Sequence, residues 1–371
     1  MSAIDEIFGP RKTDKVHFRR VKEDPGFKRF ADKRKPKKIA FSIASKSSEV
    51  VVKVSGYTKS GAGATGKGAG PVSGHIRYIS RHGETPLETD KGELISGREA
   101  VRDFCLDWQE AIDSAKTSKS SGNTRDVMHL VLSMPGKQDE EKMRSAIRNF
   151  ASSTFGGKYE YVFALHTDTE NTHGHLAVRC RGFDGKQMQM GRGLVQEWRQ
   201  SFASELRAQG IKAEATPRAL RGVLQKPEHQ AFRHMERPTD GRAPRIPEVR
   251  KNQIREALGD LQAQAKGQAV ADNENATKAK FRVRETKALW TQAAKELEGS
   301  DKAEDRALAE KIRGFVADMP ALQTQREALR ERLLAEGNRV VRQSQHQVQA
   351  DTEKPAQPQP APRENPPDQE R

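Results

Sequence analysis

With 371 residues, of which only 34% are apolar and 32% are charged, the chain cannot bury a core along its whole length; one packed domain with solvated flanks is expected. A formal net charge of +15 points to a polyanionic partner, nucleic acid before membrane surface, and no apolar run approaches the roughly 18–20 residues of a membrane span. Cys105 and Cys180 form no metal or disulfide pattern, and the N-terminus lacks a signal-peptide core, so a cytoplasmic, reducing location is expected.

In chain order, residues 1–48 read as a basic arm. Between Arg11 and Lys38 the run "RKTDKVHFRRVKEDPGFKRFADKRKPKK" fits a solvated tail or a segment that tracks DNA. "EVVVKVSG" reads as a strand ended by glycine, followed by the flexible loop "YTKSGAGATGKGAGP". "VSGHIRYISRHG" reads as a short helix with Ser73 as cap and Gly83 as stop. "REAVRDFCLDWQEAIDSAK" is helical, "DVMHLVLSMPG" a strand, and "DEEKMRSAIRNFASSTF" a helix. "YEYVFALH" and "HGHLAVRCRGFDG" are strands, and "LVQEWRQSFASELRAQG" is an amphipathic helix. The last two strands are joined by a short loop. That predicts an α+β fold, a central antiparallel sheet flanked by helices, over residues 49–225.

Residues 226–345 are rich in Ala, Leu, Gln, Glu, Lys and Arg and read as a helical accessory region, with "IREALGDLQAQAKGQ", "TKALWTQAAKELEG" and "ALQTQREALRERLLAEGNRVVRQ" as its helices. Residues 346–371 are Pro- and Gln-rich and read as a disordered tail. "GAGATGKG" nearly fits a phosphate-binding loop. Its final position is Gly68, which has no hydroxyl for magnesium, and "AGP" delays the next helix, so a nucleotide triphosphatase is set aside.

The stretch "HTDTENTHGH" holds three of the ten histidines. Successive side chains on a strand point to opposite faces, so His173 and His175 share a face, while Leu176 and Val178 point the other way, into the core. If the six intervening residues form a hairpin loop, His166 reaches the same face from the neighbouring strand. Imidazole suits zinc, manganese and other divalent ions, and three protein ligands leave coordination positions open for chemistry. Asp168 is close enough to orient one of the rings.

An open metal site on a basic protein suggests phosphodiester chemistry with either water or a tyrosine as nucleophile. Of the four tyrosines, Tyr159 and Tyr161 share a strand face with Phe163 and Leu165 and read as core, and Tyr57 begins the glycine loop. Tyr78 lies between Arg77 and Arg81, which on a continuous helix would flank it from one face. Such a setting favours ionisation of a phenol, which otherwise costs about 4 kcal/mol at pH 7.

Taken together, "HTDTENTHGHLAVR", "VVVKV…GHIRYISRHG", "HLVLSMPG" and "GFDGKQM…EWRQSFASELRAQGIKAEATPRALRG" resemble, in order, motifs of the conjugative relaxases, the HUH endonucleases of the VirD2-like, MobP-type group. The resemblance covers about residues 49–225. It implies Tyr78 as nucleophile, His166, His173 and His175 as ligands of a divalent ion (Mg2+ or Mn2+), Asp168 as support for a histidine or for tyrosine deprotonation, and Ser133 as a DNA contact. Thr172 stands where relatives often have proline, and Asn171 where some have a further histidine. The implied activity is nicking of one strand at an origin of transfer through a 5′-phosphotyrosyl bond. Arg77, Arg81, Arg179, Arg181, Arg192, Arg218 and Arg221 are candidate backbone contacts. The implied partners are single-stranded DNA, accessory DNA-binding mobilisation proteins and a type IV secretion coupling protein, with no membrane insertion and with passage of the protein beside the DNA from a bacterial donor to a recipient. Rival readings are an HUH replication initiator or transposase, a metal-dependent nuclease using water, and a non-enzymatic accessory protein.

Overall fold

The computed structural model describes residues 3–4, 36–59, 71–115, 124–191, 193–224, 230–237, 243–270, 272, 274–320 and 322–352. Most of the basic arm, the glycine-rich loop, Arg192 and the tail beyond Thr352 lie outside the described residues.

The strands are β1 (Val51–Lys59), β2 (Leu87–Thr89), β3 (Leu94–Ile95), β4 (Arg125–Ser133), β5 (Tyr161–His166) and β6 (His173–Arg179). They form one six-stranded sheet in the order β1-β4-β6-β5-β2-β3, antiparallel throughout. The α+β expectation therefore holds. The first helices in chain order are α1 (Pro36–Ala44), α2 (Pro71–Ile79), α3 (Arg98–Ser114), α4 (Glu140–Phe155) and α5 (Leu194–Ala208).

Alternation along the strands splits the core in two. Met128, Leu130 and Leu132 of β4, Tyr161, Phe163 and Leu165 of β5, and Leu176 and Val178 of β6 pack with Ile147, Phe150 and Phe155 of α4 and Trp198, Phe202 and Leu206 of α5. Phe150, Phe155, Phe202 and Trp198 meet there at ring separations of 5.4 to 6.2 Å. The interleaved residues Val127, Val162, Ala164 and Ala177 face the other way, against Val72, Ile76 and Ile79 of α2 and Val101, Cys105, Trp108 and Ile112 of α3. One sheet face thus belongs to α4 and α5, the other to α2 and α3.

Local chemistry sets several ends. Asp139 caps α4 by accepting from the Lys142 backbone N–H at 2.9 Å, a contact worth about 1 kcal/mol. Two sequence expectations are corrected near the glycine loop. Strand β1 does not stop at Gly56 but runs to Lys59; Gly56 pairs with His129, and a register shift between Val54 and Gly56 leaves Ser55 as the extra residue. Helix α2 starts at Pro71, where its missing N–H costs nothing, so Ser73 is an interior residue bonded to the Cys105 thiol and not a cap.

The remaining described helices are α6 (Gln230–Glu236), α7 (Glu248–Ala265), α8 (Glu274–Glu298), α9 (Ala303–Ala317) and α10 (Gln325–Thr352). Two compact units divide the chain, one of Met1–Gly222 with Val283–Pro320, the other of Val223–Arg282 with Ala321–Arg371. In the first unit a satellite core joins Ala40, Ile43 and Ala44 of α1 to Trp290 and Leu297 of α8 and to Leu308, Ile312 and Phe315 of α9. The end of the presumed arm, "PKKIAFSIA", is therefore a packed helix; its apolar face outweighs the lysines beside it. Helix α9 had no counterpart in the sequence reading. In the second unit Asp260 of α7 is held by Arg326 and Arg330 of α10. Residues 346–352, read as part of a disordered tail, continue α10. Among the described residues no helix is long and apolar enough to cross a membrane.

Candidate functional site

His166 and His173 sit directly opposite each other in the β5–β6 hairpin, and His175 faces Ala164 two positions along β6. The period-2 alternation therefore delivers all three rings to the α2 side of the sheet. Ring centroids are 5.2 Å apart for His166 and His173, 4.8 Å for His166 and His175, and 5.1 Å for His173 and His175. One ligand nitrogen from each lies within 4.8 Å of the others, so the three could close on one ion. Gly174 between them keeps the opposite face slim, since a Cβ there would meet the Ile147 side chain of α4 at 2.5 Å.

The tautomers suit ligation. His166 Nε2 lies 2.7 Å from the carbonyl of Ile79, and a carbonyl only accepts, so Nε2 carries the proton and Nδ1 is left with its lone pair. His173 Nδ1 lies 3.0 Å from the Asn171 carbonyl, which leaves Nε2 free by the same logic. Burial holds the His166 ring below the usual imidazole range, and burial with the two neighbouring rings and Arg81 pushes His175 down to about 3. His166 and His175 are thus neutral at pH 7, as metal ligation requires, and the three-imidazole donor set fits a divalent ion.

The loop 167–172 is braced by the turn after β4. Gly136 N–H donates to Asn171 Oδ1 at 2.9 Å, Thr172 N–H to the Gly136 carbonyl at 3.1 Å, and Gln138 N–H to Thr172 Oγ1 at 2.9 Å. Lys137 Nζ bonds the Thr167 carbonyl. Thr172 is fully buried, so its hydroxyl supplies a fixed contact at this position. Asn171 is bonded to backbone and stands outside the ring cluster.

Tyr78 lies on the same side of the sheet. It is 59% exposed, and its ring meets that of His175 edge-on at 5.9 Å. The expected pairing of Arg77 and Arg81 across one helical turn is corrected. Helix α2 ends at Ile79, and Arg81 and His82 adopt left-handed φ values of 51° and 58° in a short turn closed by Gly83. Gly83 fixes that turn against the start of α3, where a Cβ would come within 2.5 Å of the Gly97 carbonyl carbon. Arg81 consequently leaves the helix face and pairs with Asp168. The Asp168 carboxylate bonds this guanidinium, not an imidazole.

The other sequence candidates divide. Ser133 ends β4 opposite His173, and its hydroxyl is 3.5 Å from the Thr172 carbonyl, beside the triad. Arg179 is on the far end of β6, bonded to Glu160 and to the Ala111 carbonyl, which ties it to α3. Arg181 donates to the Gly185 carbonyl at 2.9 Å. Arg218 and Arg221 bound a short turn, with Arg221 3.7 Å from Glu49 just before β1. The geometry gathers Tyr78, Arg81, Asp168, Ser133 and the three histidines, and disperses Arg179, Arg181, Arg218 and Arg221.

Sequence reading missed a second histidine pair. His75 of α2 stacks on His129 of β4 with ring centroids 3.4 Å apart and planes 8° from parallel. His129 Nε2 is hydrogen-bonded to Thr58 Oγ1 at 2.8 Å, and His75 Nε2 is buried without a partner among the described residues. Burial, with the neighbouring His129 and His175 rings, pushes His75 down to about 3; burial pushes His129 down to about 4. Alternation carried the signal: His129 shares its strand face with Ser133, and His75 stands one helical turn before Tyr78.

Residues 78–210 match the relaxase family model described as MobA/VirD2-like, nuclease domain. The T-DNA border endonuclease VirD2 of Rhizobium radiobacter is 25% identical over 183 residues, covering 44% of this chain and 43% of the relative. The protein of the same name from Rhizobium rhizogenes is 24% identical over 181 residues, covering 45% and 42%. That of Agrobacterium fabrum (strain C58) is 23% identical over 181 residues, covering 45% and 40%. The chain thus aligns with less than half the length of each of these relatives. The VirD2-like relaxase resemblance read from the motifs is borne out.

Proposed function

We propose, with the VirD2-like relaxase match as premise, that the chain is a site-specific DNA strand transferase that nicks one strand at an origin of transfer. The observation that carries this reading is the Tyr78 ring 5.9 Å from His175, on the face where His166, His173 and His175 converge. The three histidines would hold a divalent ion such as Mg2+ or Mn2+ through His166 Nδ1, His173 Nε2 and a nitrogen of His175. When bound, such an ion supplies Lewis-acid polarisation of the scissile phosphate's non-bridging oxygens.

Tyr78 Oη attacks the phosphorus as its proton is lost to a base. The Oη–P bond forms and the P–O3′ bond breaks, so the leaving 3′-oxygen takes up a proton and the 5′-phosphate stays on the tyrosine. One phosphodiester replaces another, the step needs no nucleotide triphosphate, and it can reverse. The Arg81 guanidinium, held by Asp168, presents positive charge to the histidine cluster where the phosphate would sit. Ser133, at the end of β4, is an adjacent contact for the strand. Accessory mobilisation proteins, a secretion coupling protein, action in the donor cytoplasm and transfer with the DNA complete the reading.

The test uses the full chain, Mn2+ or Mg2+, and labelled oligonucleotides tiling the DNA around its own gene, resolved on a denaturing gel. A covalent protein–DNA band is expected, lost in Tyr78→Phe while oligonucleotide binding persists. Cleavage with no covalent band in the wild type would assign the chemistry to water and overturn the tyrosine mechanism. No cleavage with either ion would remove the enzymatic reading.

A further inference from the structure

Beside the site lies a cleft that the triad does not use. It encloses about 440 Å³ between α2, the turn after it and the first turns of α3, and it is lined by Arg77, His82, Arg98, Val101 and Arg102. Three of these five are guanidiniums. Among the described residues, none of the three is paired with a carboxylate. Several other guanidiniums of this unit do have a carboxylate partner: Arg81 is matched by Asp168, Arg144 by Glu140, Arg148 by Glu88, and Arg179 by Glu160. Arg98 and Arg102 stand four residues apart on α3, where like charges repel, so their placement disfavours the isolated helix.

The walls are fixed relative to each other. Gly97 N–H donates to the Gly83 carbonyl at 2.9 Å, which joins the turn bearing His82 to the start of α3. The same turn sends Arg81 towards Asp168 and leaves His82 exposed at the cleft. Arg77 directly precedes Tyr78, so the cleft opens one residue from the phenol. Its chemistry is narrow. The arginines only donate, and among the described residues Val101 is the sole apolar wall and the exposed His82 imidazole the one ring in the lining. Such a lining reads anionic oxygens and is indifferent to base identity.

We infer that this cleft holds phosphate groups of the DNA strand flanking the phosphate presented to Tyr78, with Arg98 and Arg102 as its outer contacts. The inference rests on the nicking function proposed above. It adds a sequence-independent track on the α2–α3 side, one that fixes the strand's register without reading it.

The probe is a fluorescein-labelled 25-mer of oligo-dT, with binding followed by anisotropy across a salt series. Arg98→Gln/Arg102→Gln keeps a polar, hydrogen-bonding side chain and removes two charges at exposed positions. Lys142→Gln/Arg144→Gln removes two charges from α4, on the opposite sheet face, and serves as control. The α3 double variant is expected to bind roughly tenfold more weakly near physiological salt, with a log–log salt slope shallower by about 1.4. The control is expected to stay within about twofold of wild type. If the α3 variant matches wild type, or weakens no more than the control, the cleft is not on the strand's path. If wild type itself fails to bind the oligonucleotide, the DNA-nicking function falls and the cleft inference falls with it. Wild-type binding with an unaffected α3 variant overturns the cleft alone. Circular dichroism of both variants checks that the fold is retained.

Discussion

Acidification should destabilise this fold through the stacked pair His75–His129. Burial holds both rings neutral, His75 down to about 3 and His129 down to about 4, against an ordinary value of 6.5. A folded-state pKa below the unfolded one means that the stability is fully present above pH 6.5. It is lost as pH falls from 6.5 towards 4 for His129 and towards 3 for His75, because the unfolded chain takes up the protons first. At pH 5 the unfolded rings are 1.5 units below their pKa and the folded rings are still neutral. At 1.36 kcal/mol per unit, each ring then costs about 2 kcal/mol, an upper value since both retain some solvent contact. Two rings give up to about 4 kcal/mol, a large part of the 5–15 kcal/mol typical of a domain. In a metal-free buffer His166 and His175, also held low, add to the loss with the same sign. The assay is urea unfolding at pH 7 and pH 5, on wild type and on His129→Gln, which keeps a partner for Thr58. Wild type should lose stability steeply, and the variant should lose about 2 kcal/mol less. An unfolding midpoint flat between the two pH values, or a variant as acid-sensitive as wild type, would refute the idea that these rings are stacked and neutral.

His173→Ala should lower Mn2+ affinity at least a hundredfold in titration calorimetry while leaving oligo-dT binding within about twofold, because one of three ligands is lost while the arginines proposed to contact the strand's phosphates stay in place. Thr172→Val removes the acceptor of the half-buried Gln138 N–H, so a thermal melt should show a loss of about 0.5–1.5 kcal/mol, with metal affinity down roughly 10- to 100-fold as the loop relaxes. Asp139→Ala should remove about 1 kcal/mol through the lost cap of α4 and leave metal affinity unchanged; a matching fall in affinity would mean that α4 positions the site.

The parts of this site that were legible in the sequence are those set by strand alternation. His173 and His175 share a face because two residues return a strand to the same side, and a six-residue loop places His166 opposite His173. The tyrosines of "YEYVFALH" read as core for the same reason, and both are buried. Helical spacing was less reliable where the helix was short. Arg77 and Arg81 are four apart in number, yet α2 stops between them and the left-handed turn redirects Arg81. No local pattern announces that stop, since Ser80 and Arg81 are tolerable in a helix and the cause is the distant Gly83–Gly97 contact. The pairing of His75 with His129 spans two elements that only the tertiary fold brings together. Helix α1 was hidden by its lysines, although Ile39, Ala40, Ile43 and Ala44 already made an apolar stripe.

The end of α2 is where these observations meet. A helix terminus leaves carbonyls without intrahelical partners, and the left-handed residues after Ile79 cost roughly 1–2 kcal/mol each. The Ile79 carbonyl is satisfied by His166 Nε2 at 2.7 Å. The bond that completes the helix carrying Tyr78 is thus the bond that fixes the tautomer of a candidate ligand. Withdrawing the tyrosine by moving α2 would leave Nε2–H of a buried imidazole without an acceptor, at about 1–3 kcal/mol, and would free the ring to exchange tautomers. Phenol and triad are therefore held in register by one backbone carbonyl, and the strained turn beyond it prevents α2 from continuing past the point where that carbonyl is exposed.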